Sequence, residues 1–196
     1  TDNAVTVVDT ETLAMHSIPV GPLPHHVEPS NDGHTIYVSL ASHTPAVGAA
    51  QYAAIDTSDD SVTYLTSSDD AAARPHAISP TLDGDRLYIA HDTGNQVTAI
   101  DTATGSVDFT IPAISRAEES IPSRFGDLLW VAARGDNTVK RIDLASHTVS
   151  GSVPIGVQPE SIMLTPNELT LVVSLRGSPA SLGFVDTLTL TSLGLV

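Results

Sequence analysis

The chain has 196 residues, no cysteine and a formal net charge of −15, with 23 acidic side chains against eight lysines and arginines. A surface of this sign repels phosphate backbones and argues against a nucleic-acid partner. The lack of cysteine excludes disulfides and thiolate metal sites. No apolar run approaches the ~18 residues that a membrane-spanning helix needs.

A repeat organises the whole chain. In each copy an apolar residue followed by Asp closes a strand-like run, and successive Asp residues stand 47, 45, 42 and 43 positions apart. The repeated residues are Asp9, Asp56, Asp101, Asp143 and Asp186. A period in the low forties with strand-type composition is typical of a β-propeller that has one blade per period.

Each full repeat predicts four strands in the same order. The first two are joined by a tight turn, Asp32-Gly33 in one repeat and Asp83-Gly84 in the next, because glycine supplies the positive φ of such a turn. The last repeat has Asn167-Glu168 there instead. The third strand ends at the repeated Asp, whose side chain we expect to bond nearby backbone amides and hold the next turn.

We therefore predict an all-β chain, a single β-propeller domain of four-stranded antiparallel blades. A partial blade covers 1–20, and full blades cover approximately 21–66, 67–112, 113–154 and 155–196. The repeats give 18 strands, about four and a half blades. We interpret the chain as an incomplete part of a seven-bladed ring. The alternatives are a five-bladed ring with one thin blade, or two chains that close one ring between them.

One aligned position per blade carries the candidate site. It lies eight residues before each turn glycine or its equivalent, and holds His25, His76, Glu118 and Glu160. The next position holds His26, Ala77, Glu119 and Ser161. In a propeller these positions begin the innermost strand at the mouth of the central channel, so we expect the side chains to converge there.

Two interpretations of this ring stay open. In the first, His25, His76, Glu118 and Glu160 bind a divalent metal ion or act as an acid–base cluster, because imidazole with carboxylate suits Zn, Mn, Fe or Cu. In the second, polar residues line a wet channel and Glu pairs with His. His26, Glu119, Arg74 and Arg116 are predicted to line the funnel in either case. The arginines would bind an anionic ligand or form salt bridges with nearby acidic residues.

Other candidates have simpler interpretations. We expect His91 to bond backbone in the adjoining loop and Trp130 to belong to the core. An insertion at 41–50, which contains His43, lengthens one loop that could shape a ligand-facing rim.

Several runs resemble the Tyr-Val-Thr-Asn motif of the YVTN-family propellers, within the WD40-like superfamily. They are Tyr37-Val38-Ser39-Leu40, Tyr88-Ile89-Ala90-His91 and Trp130-Val131-Ala132-Ala133. The resemblance covers nearly the whole chain and implies a propeller fold and an extracytoplasmic location, either secreted, periplasmic or at the cell surface. The chain departs from the family where Pro24-His25-His26 replaces Pro-x-Gly.

The predicted function is a binding or scaffold module whose funnel face takes a protein partner or a small-molecule ligand. The alternative is a metal-dependent propeller lactonase, hydrolase or lyase that uses the His/Glu ring. A third hypothesis is an electron-transfer propeller with an axial histidine, but the chain has no Cys-x-x-Cys-His for covalent haem attachment. Fold alone does not separate these classes.

Overall fold

The computed structural model describes residues 3–41, 50–70 and 72–196, which contain 18 β-strands. The predicted insertion falls largely at 42–49, and these residues, His43 among them, lie outside the described ranges. In chain order the strands are β1 (Ala4–Val8), β2 (Met15–Pro19), β3 (Pro24–Pro29), β4 (Thr35–Leu40), β5 (Ala50–Asp56), β6 (Val62–Ser68), β7 (Arg74–Pro80), β8 (Arg86–Thr93), β9 (Gln96–Asp101), β10 (Ser106–Pro112), β11 (Ala117–Pro122), β12 (Leu128–Ala133), β13 (Thr138–Asp143), β14 (Thr148–Pro154), β15 (Pro159–Leu164), β16 (Thr170–Leu175), β17 (Ser181–Asp186) and β18 (Thr191–Leu195).

The strands form five antiparallel sheets, which we name blades A to E. Blade A is the pair β1–β2, and blades B, C, D and E are the four-stranded sheets β3–β6, β7–β10, β11–β14 and β15–β18. Within each blade the strands pair in sequence order, so each is a meander with its first strand innermost. The predicted all-β fold of four-stranded antiparallel blades is confirmed. In the described ranges, no helix is long and apolar enough to cross a membrane.

The repeated Asp holds its turn as the sequence predicts. Asp101 Oδ1 accepts a hydrogen bond from the Thr104 amide at 2.8 Å, and Asp143 Oδ1 accepts one from the Ser146 amide at 2.8 Å. The threonine that follows the Asp adds a second bond, since Thr102 Oγ1 donates to the carbonyl oxygen of Gly84 at 2.6 Å. The Asp-Thr pair therefore ties the two turns at this end of a blade together.

The core lies between blades rather than inside one sheet. Strand β12 shows why, because successive side chains of a strand point to opposite faces. Leu129 and Val131 are completely buried against blade C, whereas Trp130, 2% exposed, packs against blade E. The predicted core position of Trp130 is confirmed. Because side chains alternate between the two faces of a strand, one blade contributes to the cores on both of its sides.

Each inner strand begins with an irregularity that sets up the funnel. The pairing register shifts between Pro24 and Val27, and the same shift recurs at the start of β7, β11 and β15. A bulge of this kind releases residues from the ladder and re-aims their side chains. The residues that it releases are those of the candidate site.

Candidate functional site

The candidate site starts with a chain of hydrogen bonds that runs around the funnel mouth. The mouth is the end of the blades where the inner strands begin. His25 Nδ1 lies 3.3 Å from the carbonyl oxygen of His76, and His76 Nδ1 lies 2.7 Å from that of Glu118. A carbonyl oxygen only accepts, so each ring donates through Nδ1 to the equivalent residue of the next blade. The two imidazole rings are 4.2 Å apart.

His76 and Glu118 form the tightest pair of the mouth. His76 Nε2 is 3.0 Å from Glu118 Oε2, and the two side chains are 16% and 1% exposed. Burial lowers the pKa of His76, and the carboxylate of Glu118 acts in the opposite direction. Because Nδ1 already donates elsewhere, the Nε2–Oε2 contact needs one proton between its two atoms. The contact is therefore a hydrogen bond in which that proton is on one of the two atoms.

Glu118 also anchors two arginines. Arg134 Nη1 donates to Glu118 Oε1 at 3.1 Å, and Arg116 Nη2 lies 3.7 Å from the same oxygen. Glu160, which the repeat places at the same position in blade E, pairs instead with Arg176, at 2.8 Å from Nε to Oε2. The structure thus brings His25, His76 and Glu118 together and gives Glu160 a partner of its own.

Arg74, at the start of β7, pairs with a carboxylate of its own blade. Its Nε donates to Asp92 Oδ1 at 2.7 Å, and the Asp92 side chain is only 3% exposed. A buried carboxylate held by a guanidinium is a stable arrangement that leaves Arg74 committed to it. Of the predicted lining arginines, Arg116 is therefore the one with spare donors at the mouth.

In blades B and D the next residue of the inner strand bonds to the following blade. The Ile78 amide donates to His26 Nδ1 at 3.3 Å, and the Ile162 amide donates to Glu119 Oε2 at 2.8 Å. Burial lowers the pKa of His26, which suits a neutral ring that accepts through Nδ1. Burial raises the pKa of Glu119. Both residues thus join neighbouring blades through a side chain to backbone hydrogen bond near the mouth.

Below the mouth the inner strands enclose a groove of about 480 Å³. Its walls combine apolar side chains with titratable ones: Ile78, Ile121, Ile162, His26, Glu28 and Glu119. Burial raises the pKa of Glu28 as well as that of Glu119. A concave surface that combines apolar walls with polar groups is a common form of a small-molecule site. We call the mouth and this groove together the funnel.

The metal interpretation has limited geometric support. In residues 3–41, 50–70 and 72–196, no three His, Asp or Glu side chains are grouped so that they could hold a metal ion. His76 and Glu118 supply two adjacent donor atoms, Nε2 and Oε2, while Glu160 is turned toward Arg176. The four predicted ligands therefore do not form one cluster in this conformation.

Sequence reasoning missed a set of asparagines that hold the mouth loops. The side chains of Asn3, Asn95 and Asn137 accept hydrogen bonds from the amides of Leu23, Arg116 and Gln158 in the following blade, at 3.2, 3.2 and 2.8 Å. The donors and acceptors all have positive φ. The signal was present in the sequence, since Asn95 and Asn137 are one repeat apart and each precedes a third strand.

His91 lies in the core, whereas the sequence predicted a bond to backbone of the adjoining loop. It is completely buried near the end of β8, and its Nε2 lies 2.9 Å from the side-chain atom Thr98 Oγ1 on β9. Thr98 Oγ1 donates its own proton to the carbonyl oxygen of Ser67 at 2.7 Å, so His91 must donate through Nε2. Burial lowers the pKa of His91 to about 4. His91 is a neutral core residue of the interface between blades B and C.

The fold and its axial funnel define the chain as β-propeller structure. No family model matches the chain, and no curated protein matches it. Among solved structures 1332 chains match, so the architecture is widespread and does not select a function. One of them is the hydrazine synthase of Kuenenia stuttgartiensis, with a TM-score of 0.78 and 22% sequence identity. The match covers 89% of this chain and 49% of that one, so this chain spans about half its length. At this identity the likeness shows the fold alone.

Proposed function

We propose that this chain is a non-enzymatic binding module, a propeller of YVTN type in an exported or cell-surface protein, with its ligand face at the funnel. The observation that carries the proposal is the groove of about 480 Å³ on the axis, whose apolar walls and titratable groups suit a small ligand or a partner's side chains. The bonds from blade to blade at the mouth support a binding role, because they hold the rim rigid.

The two methionines of the chain provide a direct test of the ligand face. Met163 lines the groove and is 67% exposed, whereas Met15 lies on β2 and is 71% exposed. In protein labelled with 13C at the methionine methyl groups, a small-molecule library is screened by NMR. We expect a ligand of the funnel to shift the Met163 signal and leave the Met15 signal unchanged.

Matched substitutions make the result specific. Met163→Arg adds a charge and bulk in the groove, and Met15→Arg makes the same change on an exposed strand elsewhere. Binding that is lost in the first variant and retained in the second supports the proposal. Ligands that shift Met15 as much as Met163, or that bind Met163→Arg as well as the parent, would overturn it.

The second candidate function is a metal-dependent propeller lactonase, hydrolase or lyase. The observation that favours it is the adjacent pair of His76 Nε2 and Glu118 Oε2, at 3.0 Å, with His25 close by. Elemental analysis of the purified protein beside the double variant His25→Ala/His76→Ala tests it. Stoichiometric transition metal that is lost in the variant would favour an enzyme and justify a screen of lactones and esters. Equal metal content in both proteins would contradict this candidate.

The proposed location has its own test. It rests on the resemblance to the YVTN family, most of whose members are exported or at the surface. Fractionation of the source cells, followed by detection with an antibody, should place the protein outside the cytoplasm. Recovery with a cytoplasmic marker would contradict the proposed location without affecting the funnel.

A further inference from the structure

The positive charge of the chain is concentrated at the funnel mouth. The protein has a net charge of −15 and only eight lysines and arginines, yet four of the eight stand around the mouth. They occur where inner strands begin or second strands end, and are Arg74, Arg116, Arg134 and Arg176. Carboxylates stand among these arginines, so an anion would be attracted by the guanidinium donors that the ion pairs leave free.

The protein's own carboxylates satisfy only part of this charge. Arg74 is taken by Asp92, and Arg134 donates to Glu118. Arg116 comes no closer than 3.7 Å to Glu118, too far for a hydrogen bond, and its side chain is 52% exposed. Arg176 pairs with Glu160 through Nε, and its side chain is 58% exposed.

Three of these arginines form a continuous strip on blades D and E. Arg116 and Arg134 both lie within 4 Å of Glu118 Oε1, and Arg134 Nη2 donates to Gln158 Oε1 at 3.3 Å. The backbone of Gln158 leads on to Arg176, whose amide donates to the Gln158 carbonyl at 3.0 Å. The buried Nε of Arg134 has no hydrogen-bond partner among the described residues. The strip has three guanidinium groups against two carboxylates.

We propose that the mouth binds a small organic anion whose carboxylate groups are held by Arg116 and Arg176. This inference rests on the proposed function and names the class of ligand. The strip already binds one carboxylate, since Glu118 is 1% exposed against Arg134 and His76. Guanidinium groups match the two oxygens of a carboxylate in geometry. A dicarboxylate offers one such group to each of the two arginines, whereas inorganic phosphate is a single compact anion.

Titration calorimetry with succinate, acetate and inorganic phosphate at constant ionic strength tests the proposal. We expect succinate to bind more tightly than phosphate, and the double variant Arg116→Gln/Arg176→Gln to weaken succinate binding at least tenfold. Arg86→Gln is the matched control, because Arg86 is also about half exposed and pairs with one carboxylate, Asp108, at 2.8 Å. It should change the dissociation constant less than twofold.

Three outcomes would overturn the proposal: equal succinate binding by the double variant, tighter binding of phosphate than of succinate, or no binding of any probe by the parent. If the parent binds no probe, the methionine NMR screen shows whether the proposed function fails as well. A ligand that shifts Met163 while succinate does not bind leaves the funnel as the ligand face and removes only the carboxylate class. Circular dichroism and the unfolding midpoint of each variant show whether it is folded.

Discussion

The two ends of each blade are held by different kinds of hydrogen bond. At the turn end, Asp143 bonds an amide three residues away, and the other four repeated Asp residues each bond an amide two or three residues away. At the mouth, His25 bonds a residue 51 positions away and His76 one 42 positions away, each in the next blade. The turn end is thus a local motif copied in every blade, whereas the mouth is a ring built between blades.

This difference separates stability from specificity. A local turn needs the same residue in every copy, because the chemistry of the turn is the same each time. A ring of contacts around an axis tolerates a different residue in each blade, as in the series His25, His76, Glu118 and Glu160. Ligand recognition needs such a non-uniform surface. The predictions below test whether the mouth depends on contacts between blades and the turn end on local ones.

The largest effect is expected at the centre of the mouth. Glu118→Gln removes the charge that faces His76 and Arg134, whose side chains are 16% and 18% exposed. We expect the free energy of unfolding to fall by about 3–5 kcal/mol, because buried charged groups lose their counter-charge. Urea denaturation followed by circular dichroism measures it.

The matched control lies one blade away. Glu160→Gln removes the same charge from the equivalent position of blade E, but its partner Arg176 is 58% exposed. The free energy of unfolding of Glu160→Gln should fall by no more than about 1 kcal/mol, as for other exposed ion pairs. If the two variants lost equal stability, burial of Glu118 between blades would not be what makes the mouth stable.

The second effect concerns acid sensitivity at the interface of blades B and C. Burial lowers the pKa of His91 from 6.5 to about 4, so the unfolded chain takes up a proton at a pH where the folded protein does not. The stabilisation is complete above pH 6.5 and is lost as the pH falls toward 4, a change of about 3 kcal/mol. Urea midpoints measured across this range should therefore drop steadily.

Substitution of His91 identifies the source of that drop. Gln at this position keeps a donor for Thr98 but does not titrate. The urea midpoint of His91→Gln should therefore change less with pH than that of the parent. A smaller slope should remain, because burial also lowers the pKa of His26 and of His76. An unaltered slope in His91→Gln would refute the role of this residue.

The sequence predicts the turn end far better than the mouth. The repeated Asp and the glycines of the tight turns act through neighbours two or three residues away, so their bonds follow from the local sequence. Even the substitute residue behaves as its position requires, with Glu168 at φ 57° where other blades have Gly33 or Gly84. The four-stranded blades follow directly from these signals.

The mouth could be located from the sequence, but its bonding could not. The repeat places His25, His76, Glu118 and Glu160 at one level of the axis. Whether Glu118 bonds His76 or an arginine depends on distances between blades, which no local pattern contains. The burial of His91 could not be predicted for the same reason, because the enclosed space around it comes from the packing of blades B and C.

A smaller effect is expected from the asparagines that join mouth loops across blades. Asn137→Ala removes the bond from the side-chain oxygen to the Gln158 amide and puts alanine at φ 55°, so we expect a loss of about 1–2 kcal/mol. Asn137→Gly removes the bond alone and should cost about 1 kcal/mol. Urea denaturation of the two variants separates the free energy of the lost hydrogen bond from that of placing alanine at positive φ. A Gly variant as stable as the parent would show that this link between blades contributes nothing.

The smallest effect is expected at a single turn. Asp143 is partly exposed, and its pKa is lowered mainly by the hydrogen bond from the Ser146 amide and then by that from the Ser146 hydroxyl. Its charge therefore stabilises the fold above the ordinary Asp pKa of 3.8, and this contribution disappears as the pH falls through the lowered value. Asp143→Asn should have a slightly lower melting temperature than the parent at neutral pH, and the difference should vanish in stronger acid. A difference that persisted at low pH would mean that the carboxylate acts through packing with other blades, and the turn end would then resemble the mouth.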